Sequence, residues 1–142
     1  MSDSGYNLPS RGFWEHGSGG ALLRCGIDLI ENRRVERGIA RFGERFLNRF
    51  FTSGERGDCE DQPHRLAARL AAKEAVAKAL GTGIGVVSWR EIEIRCNNPQ
   101  NRPTLALHGA AAAAASLMGL TQWDVSLTHT QDYAAAVVVA LG

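Results

Sequence analysis

Lysine is nearly absent from this chain: fourteen of its sixteen basic residues are arginine, and the only lysines are Lys73 and Lys78. Cysteine is scarce too, with three widely spaced residues, Cys25, Cys59 and Cys96. An odd, scattered set favours reduced thiols in a cytoplasmic protein over a disulfide framework or a zinc site. Long apolar runs are missing. The longest, Ala134 to Leu141, falls far short of the ~20 residues that cross a bilayer, and no apolar h-region follows Met1. That reading excludes a membrane span and a signal peptide. The net charge is only +1, which argues against broad nucleic-acid binding.

What is present is ordinary for a globular chain: 142 residues, 44% hydrophobic and 22% charged, enough for one domain with one core. Residues 1–20 are rich in Gly and Ser without apolar periodicity and are read as a flexible tail; residues 21–142 are read as the domain. Ala21 to Ile30 reads as a strand and Arg33 to Phe50 as a helix with Val35, Ile39, Phe42, Phe46 and Phe50 on its apolar face. Phe51 to Pro63 is turn-rich, although Thr52-Ser53-Gly54-Glu55 resembles a helix start. His64 to Leu80 is a helix stopped by Gly81. Val86 to Arg95 and Thr104 to Leu107 are strands, and Gly109 to Leu120 is a helix around an alanine run. Trp123 to Thr128 and Tyr133 to Leu141 form a hairpin. The order predicts an α+β fold, helices packed on a largely antiparallel sheet.

Charge is distributed unevenly. Between Arg24 and Arg56 eight arginines face five acids, and Arg33, Arg37, Arg41, Arg45 and Arg49 recur every fourth residue as one drifting stripe. The stripe is either a solvated face with glutamate pairs or a docking surface for an acidic partner. On the helix ending at Leu80, Leu66, Leu70, Ala77 and Leu80 mark the apolar stripe; Glu74 lies at its edge with Lys78 one turn on, whereas Lys73 falls inside it. Glu74 and Lys78 fit a simple i,i+4 surface pair, but a core-facing lysine needs a partner or a site to reach into.

Asp28 is a carboxylate in an otherwise apolar strand, costly unless paired, hydrogen-bonded or metal-bound. If strand and helix are neighbours, Asp28 and Glu74 converge, and two carboxylates with basic groups nearby suit Mg²⁺ held against substrate phosphates. The plain alternative is an aspartate at a strand end. Gly81-Thr82-Gly83-Ile84-Gly85 follows a helix instead of opening one, so a P-loop is rejected. His16, His64, His108 and His129 lack metal-ligand spacing, and neither a nucleophile elbow nor a catalytic-cysteine pattern occurs.

Three segments in this order resemble the holo-(acyl carrier protein) synthase group of the 4′-phosphopantetheinyl transferases: Gly26-Ile27-Asp28-Leu29-Ile30-Glu31, then Arg69 to Ile84 (RLAAKEAVAKALGTGI), then Asp124-Val125-Ser126-Leu127-Thr128-His129. The resemblance runs from about Leu23 to the C-terminus. It implies transfer of phosphopantetheine from coenzyme A to a serine of an apo acyl carrier protein, releasing adenosine 3′,5′-bisphosphate. It also implies Mg²⁺ on Asp28 and Glu74, and a trimer with its site at a subunit interface. Lys78, with Lys73, is expected to neutralise the transferred phosphate; Glu74, or a metal-bound water that it polarises, is expected to take the serine proton. Arg69, Gly83, Arg102, Pro103, Thr128 and His129 are expected to line the coenzyme A site, with Lys73 and Lys78. Arg34, Arg37 and Arg41 are expected to dock the acidic carrier protein, Arg34 and Arg41 matching the family's docking helix best. Two departures are visible: Leu70 where an aromatic is usual, and Asn101-Arg102-Pro103 where Gly-Lys-Pro is common. The competing reading is a non-catalytic carrier-protein-binding module on the same fold, which loss of Asp28, Glu74 or Lys78 would favour; all three are present.

Overall fold

A computed structural model describes residues 21–142; the tail read in residues 1–20 lies outside the described residues. The strands are β1 (Leu23–Glu31), β2 (Ile92–Arg95), β3 (Thr104–Leu107), β4 (Gln122–His129) and β5 (Tyr133–Leu141). The helices are α1 (Asn32–Phe42), α2 (Glu44–Phe50), α3 (Ser53–Cys59), α4 (Pro63–Leu80) and α5 (Gly109–Leu117). The α+β class holds, with one refinement: the strands form two antiparallel sheets, β1-β5-β4 and β2-β3.

The C-terminal strand β5 is the centre of the larger sheet, so β1 and β4 are its edges. Alternation gives each strand two faces. Inward, Gly26 and Ile30 of β1 and Ala134, Ala136, Val138 and Ala140 of β5 are buried against α4. The small residues are the reason α4 lies so close. A Cβ at Gly26 would overlap the carbonyl oxygen of Ala75, so the backbones of β1 and α4 meet directly. Outward, Leu23, Ile27 and Leu29 of β1 and Val137 and Val139 of β5 are exposed.

α4 is capped where its sequence says it should be, by Pro63 at its first turn and by Gly81 at φ 70°. The predicted helix over 33–50 is two helices, because Gly43 turns the chain at φ 55° and the Phe46 ring folds back onto Gly38, where a Cβ would overlap it. The arginine stripe is therefore broken between Arg41 and Arg45. The turn-rich stretch contains α3, opened by a capping box in which Thr52 accepts from Glu55 N–H and Glu55 accepts from Thr52 N–H. Its two glycines hid it from propensity. The predicted strand 86–95 keeps only its last four residues, since Ser88 and Glu91 cap a 3₁₀ turn at Trp89–Glu91. Among the described residues no helix is long and apolar enough to cross a membrane.

Candidate active site

Asp28 and Glu74 do meet. Asp28 points inward from edge strand β1, and Glu74 leans from the middle of α4 over that edge, into a cleft also lined by Arg34 and Arg37 of α1. Both carboxyls line this one cleft. Lys78 Nζ donates to Asp28 Oδ1 and to the Ile27 carbonyl oxygen, both at 2.9 Å. Arg34 Nη1 donates to Glu74 Oε1 at 3.2 Å. The i,i+4 pair expected of Glu74 and Lys78 is thus replaced by two cross-element pairs, Lys78–Asp28 and Arg34–Glu74.

The electrostatics are those of two crowded carboxylates. Burial, then the hydrogen bond and negative charge of Asp28, push the Glu74 carboxyl up to about 7, with Arg34 pulling against the rise. For Asp28, burial alone would raise the pKa, but hydrogen bonds from Glu74 and Lys78 and the charges of Lys78 and Arg34 hold it below its ordinary value. Asp28 Oδ2 is buried without a hydrogen-bond partner. This oxygen, beside a second carboxyl whose pKa is raised, marks a site with few positive charges for its acceptors. A hard cation fits such a site. Among the described residues no group of three or more His, Cys, Asp and Glu could enclose a metal. Two carboxylates leave the remaining positions of a cation to water and substrate phosphate, as Mg²⁺ prefers.

A second cleft of about 590 Å³ opens at the opposite edge, along β4. It gathers Arg69, Arg102, Pro103 and His129 from the predicted coenzyme A set, with Arg65 as an addition that the sequence reading missed. Arg65 lies one turn before Arg69 on α4, and its backbone oxygen accepts from Arg69 Nη1 at 3.4 Å; that i,i+4 spacing was the available signal. Arg69 is buried and lines this cleft, and its Nε has no hydrogen-bond partner. His129 also borders a neighbouring hollow, where its ring centroid stands 5.4 Å from that of His64. Gly83 and Thr128 join neither cleft: Gly83 sits in the loop after α4 at φ 66°, and Thr128 is exposed on the outer face of β4.

Lys73 is the clear correction. It was expected to reach a phosphate, but its side chain is 0% exposed. Its ammonium donates to Glu55 Oε1 at 2.7 Å, to the Trp89 oxygen at 2.9 Å and to the Ile92 oxygen. An ammonium has three protons, and all three are used inside the core. Helical periodicity places Lys73 in the apolar stripe, where an ammonium needs a partner, and the partner is Glu55, distant in sequence. The docking arginines differ among themselves. Arg34 is tied to Glu74 and Arg37 borders the same cleft, whereas Arg41 lies away from the carboxylates, over the Phe42 ring at 5.1 Å.

An α+β fold that brings paired carboxylates, flanked by Lys and Arg, to one sheet edge and an arginine-lined cleft to the other has the chemistry suited to phosphate esters. The sequence model of the 4′-phosphopantetheinyl transferase superfamily matches residues 24–138. The holo-[acyl-carrier-protein] synthase of Herpetosiphon aurantiacus is 47% identical over 128 residues, covering 85% of this chain and all of that protein. That of Dehalococcoides mccartyi is 48% identical over 119 residues, covering 84% of this chain and 98% of its own. The crystal structure of the Helicobacter pylori holo-[acyl-carrier-protein] synthase in complex with coenzyme A superposes with a TM-score of 0.74 at 33% identity, covering 82% of this chain and 98% of that one. The chain belongs to the 4′-phosphopantetheinyl transferase superfamily, and like these relatives it is a transferase.

Proposed function

We propose that this transferase moves 4′-phosphopantetheine from coenzyme A to a serine of an apo acyl carrier protein, that it requires Mg²⁺, and that it releases adenosine 3′,5′-bisphosphate. The observation that carries the reading is the Asp28–Glu74 pair with Lys78 and Arg34 around it. The names of the relatives, and the coenzyme A bound to one of them, support the substrates.

In this reading Asp28 and Glu74 hold Mg²⁺, which when bound supplies positive charge to the pyrophosphate of coenzyme A. Lys78, 57% exposed at the rim beside Asp28, neutralises charge on the transferred phosphate. The serine oxygen forms a bond to that phosphorus as the bond to the adenosine bisphosphate oxygen breaks. Glu74, or a water that it polarises, takes the serine proton. Arg69, Arg102, Pro103 and His129 bind the nucleotide end of coenzyme A in the second cleft, and Gly83 and Thr128 are the further coenzyme A contacts in this reading. The alternative, a non-catalytic carrier-protein-binding module, is not favoured, because every group it would be expected to lose is in place.

The two clefts lie at opposite edges of one sheet. The outer face between them exposes Ile27 at 67% and Leu29 at 63%, more apolar surface than a monomer keeps without reason. The second cleft continues onto that face through Val137 and Val139. A ring of copies, a homotrimer, would cover the face and set the β1 edge of one copy against the β4 edge of the next. The free thiols suit a reducing compartment, and we place the reaction in the cytoplasm.

Intact-mass analysis of an apo acyl carrier protein, incubated with this protein, coenzyme A and Mg²⁺ beside an EDTA control, tests the reaction. The expected result is a Mg²⁺-dependent gain of one phosphopantetheine. No gain together with no coenzyme A binding would move the assignment to the non-catalytic module.

Carrier-protein docking has its own test. Arg34→Glu would set a carboxylate beside Glu74 and confuse docking with chemistry, so Arg41 is the cleaner position. Arg41→Glu is expected to raise the KM for the carrier protein about tenfold, mainly at low salt, and to leave the KM for coenzyme A unchanged. Equal rises in both would remove Arg41 from the docking surface.

A further inference from the structure

We infer that the buried Lys73–Glu55 pair is a positioning device: by fixing the rotation of α4 about its own axis, Lys73 sets where the Glu74 carboxylate meets Asp28. This rests on the reading of Asp28 and Glu74 as the metal pair. Lys73 and Glu55 are both 0% exposed, so neither is accessible to a substrate. The Lys73 protons go to three acceptors on three segments: Glu55 of α3, Trp89 of the 3₁₀ turn and Ile92 of β2. Glu55 in turn accepts from Thr52 N–H at 2.9 Å and from Ile94 N–H at 3.0 Å.

Stability does not require a charge here. The neighbours of Lys73 along its stripe, Leu66, Leu70, Ala77 and Leu80, are apolar and buried, and an apolar side chain at 73 would avoid desolvating an ion. What an apolar stripe lacks is direction: it can slide or roll against its neighbours, whereas hydrogen bonds weaken steeply when bent. Glu74 is the next residue, roughly 100° round the helix, so any roll of α4 moves its carboxyl relative to Asp28. On its other side α4 bears directly on β1, through the Ala75 oxygen against Gly26 and the Ala79 oxygen accepting from Arg24 Nε at 3.1 Å. The helix is thus held between a polar anchor and a backbone contact, with Glu74 projecting between the two.

The test uses Mn²⁺ as the probe ion, titrated into the full chain with coenzyme A present and followed by the paramagnetic resonance signal of the free ion. Three variants are compared: Lys73→Met with Glu55→Gln together, Glu55→Gln alone, and Glu74→Gln. The paired variant removes both charges at similar volume. It is expected to melt below wild type, because the Trp89 and Ile92 carbonyls lose a donor, and to bind Mn²⁺ about tenfold more weakly, as loss of a supporting partner does at metal sites. Glu55→Gln keeps the shape but sets an amide NH2 where one carboxylate oxygen accepted, against either Ile94 N–H or Thr52 N–H and Lys73, and is expected to lose about threefold. Full Mn²⁺ affinity in the paired variant, whatever its melting temperature, would overturn the inference and leave the pair purely structural. Should the paired variant not fold, Glu55→Gln decides alone: weakened binding supports the inference and unchanged binding overturns it. Lost Mn²⁺ binding in Glu74→Gln with full affinity in the paired variant sinks only the positioning role. Wild-type binding in Glu74→Gln sinks the metal reading, and this inference with it.

Discussion

Glu74→Gln should abolish turnover and at the same time make the metal-free protein more stable at pH 8. Loss of the carboxylate removes both a metal ligand and the proposed proton acceptor, so activity is expected to fall about a thousandfold. The stability gain follows from linkage. The Glu74 carboxyl titrates at about 7 in the fold against an ordinary 4.5, so the fold favours its protonated form. The stability that the protonated form contributes is complete below about 4.5 and is lost as pH rises through about 7. Asp28, held below its ordinary value, acts in the opposite sense, but its loss comes at lower pH, outside this window. Glutamine carries no charge, so in EDTA the variant should lack the decline and exceed wild type by something on the order of 2 kcal/mol above neutrality. Thermal unfolding from pH 4 to 8 measures this. With Mg²⁺ and coenzyme A added the order should reverse, since only wild type gains from binding. A variant no more stable than wild type at pH 8 in EDTA would mean that the two carboxyls do not crowd each other.

Gly26→Ala should be a severely damaging conservative change. A single methyl at residue 26 would occupy the space of the Ala75 carbonyl oxygen, a backbone atom that no rotamer can move aside. α4 must then lift from β1, and overpacking of this kind costs about 3 kcal/mol. The same displacement would separate Asp28, two residues along β1, from Glu74, next to Ala75 on α4. Loss of stability and loss of Mn²⁺ binding should therefore appear together in Gly26→Ala. Gly57→Ala, at a position open to solvent on α3, should show neither. An unchanged melting temperature in Gly26→Ala would show that β1 and α4 are not in backbone contact.

Both predictions concern one seam, and the sequence showed its two sides without showing the seam. Asp28 stood out because an ionised group in an apolar strand is costly, and Glu74 because helical periodicity put it at a stripe's edge. Those are local facts, carried by residue type and spacing. So were the long helix α4 with its Gly81 stop, the C-terminal hairpin, and the burial of Lys73. Arg69, Arg102, Pro103 and His129 stood out only through the family resemblance, and their gathering in one cleft at the far edge of the sheet was not legible in the sequence.

What the sequence alone determined was therefore every feature set within a few turns of chain: element type, amphipathic face, helix stop, and the residues whose polarity disagreed with their surroundings. Only the tertiary structure decided the pairings between groups far apart along the chain. It gave Lys78 to Asp28 and Arg34 to Glu74 in place of the nearer Glu74–Lys78 pair, and it moved Lys73 from substrate to Glu55. It also broke the arginine stripe at Gly43 and set the two clefts at opposite edges of one sheet. The reason is physical: periodicity fixes the direction in which a side chain leaves its own element, but the partner it finds depends on how elements pack, and that packing is governed here by close backbone approach at Gly26 and by buried charges that must be satisfied wherever acceptors happen to converge.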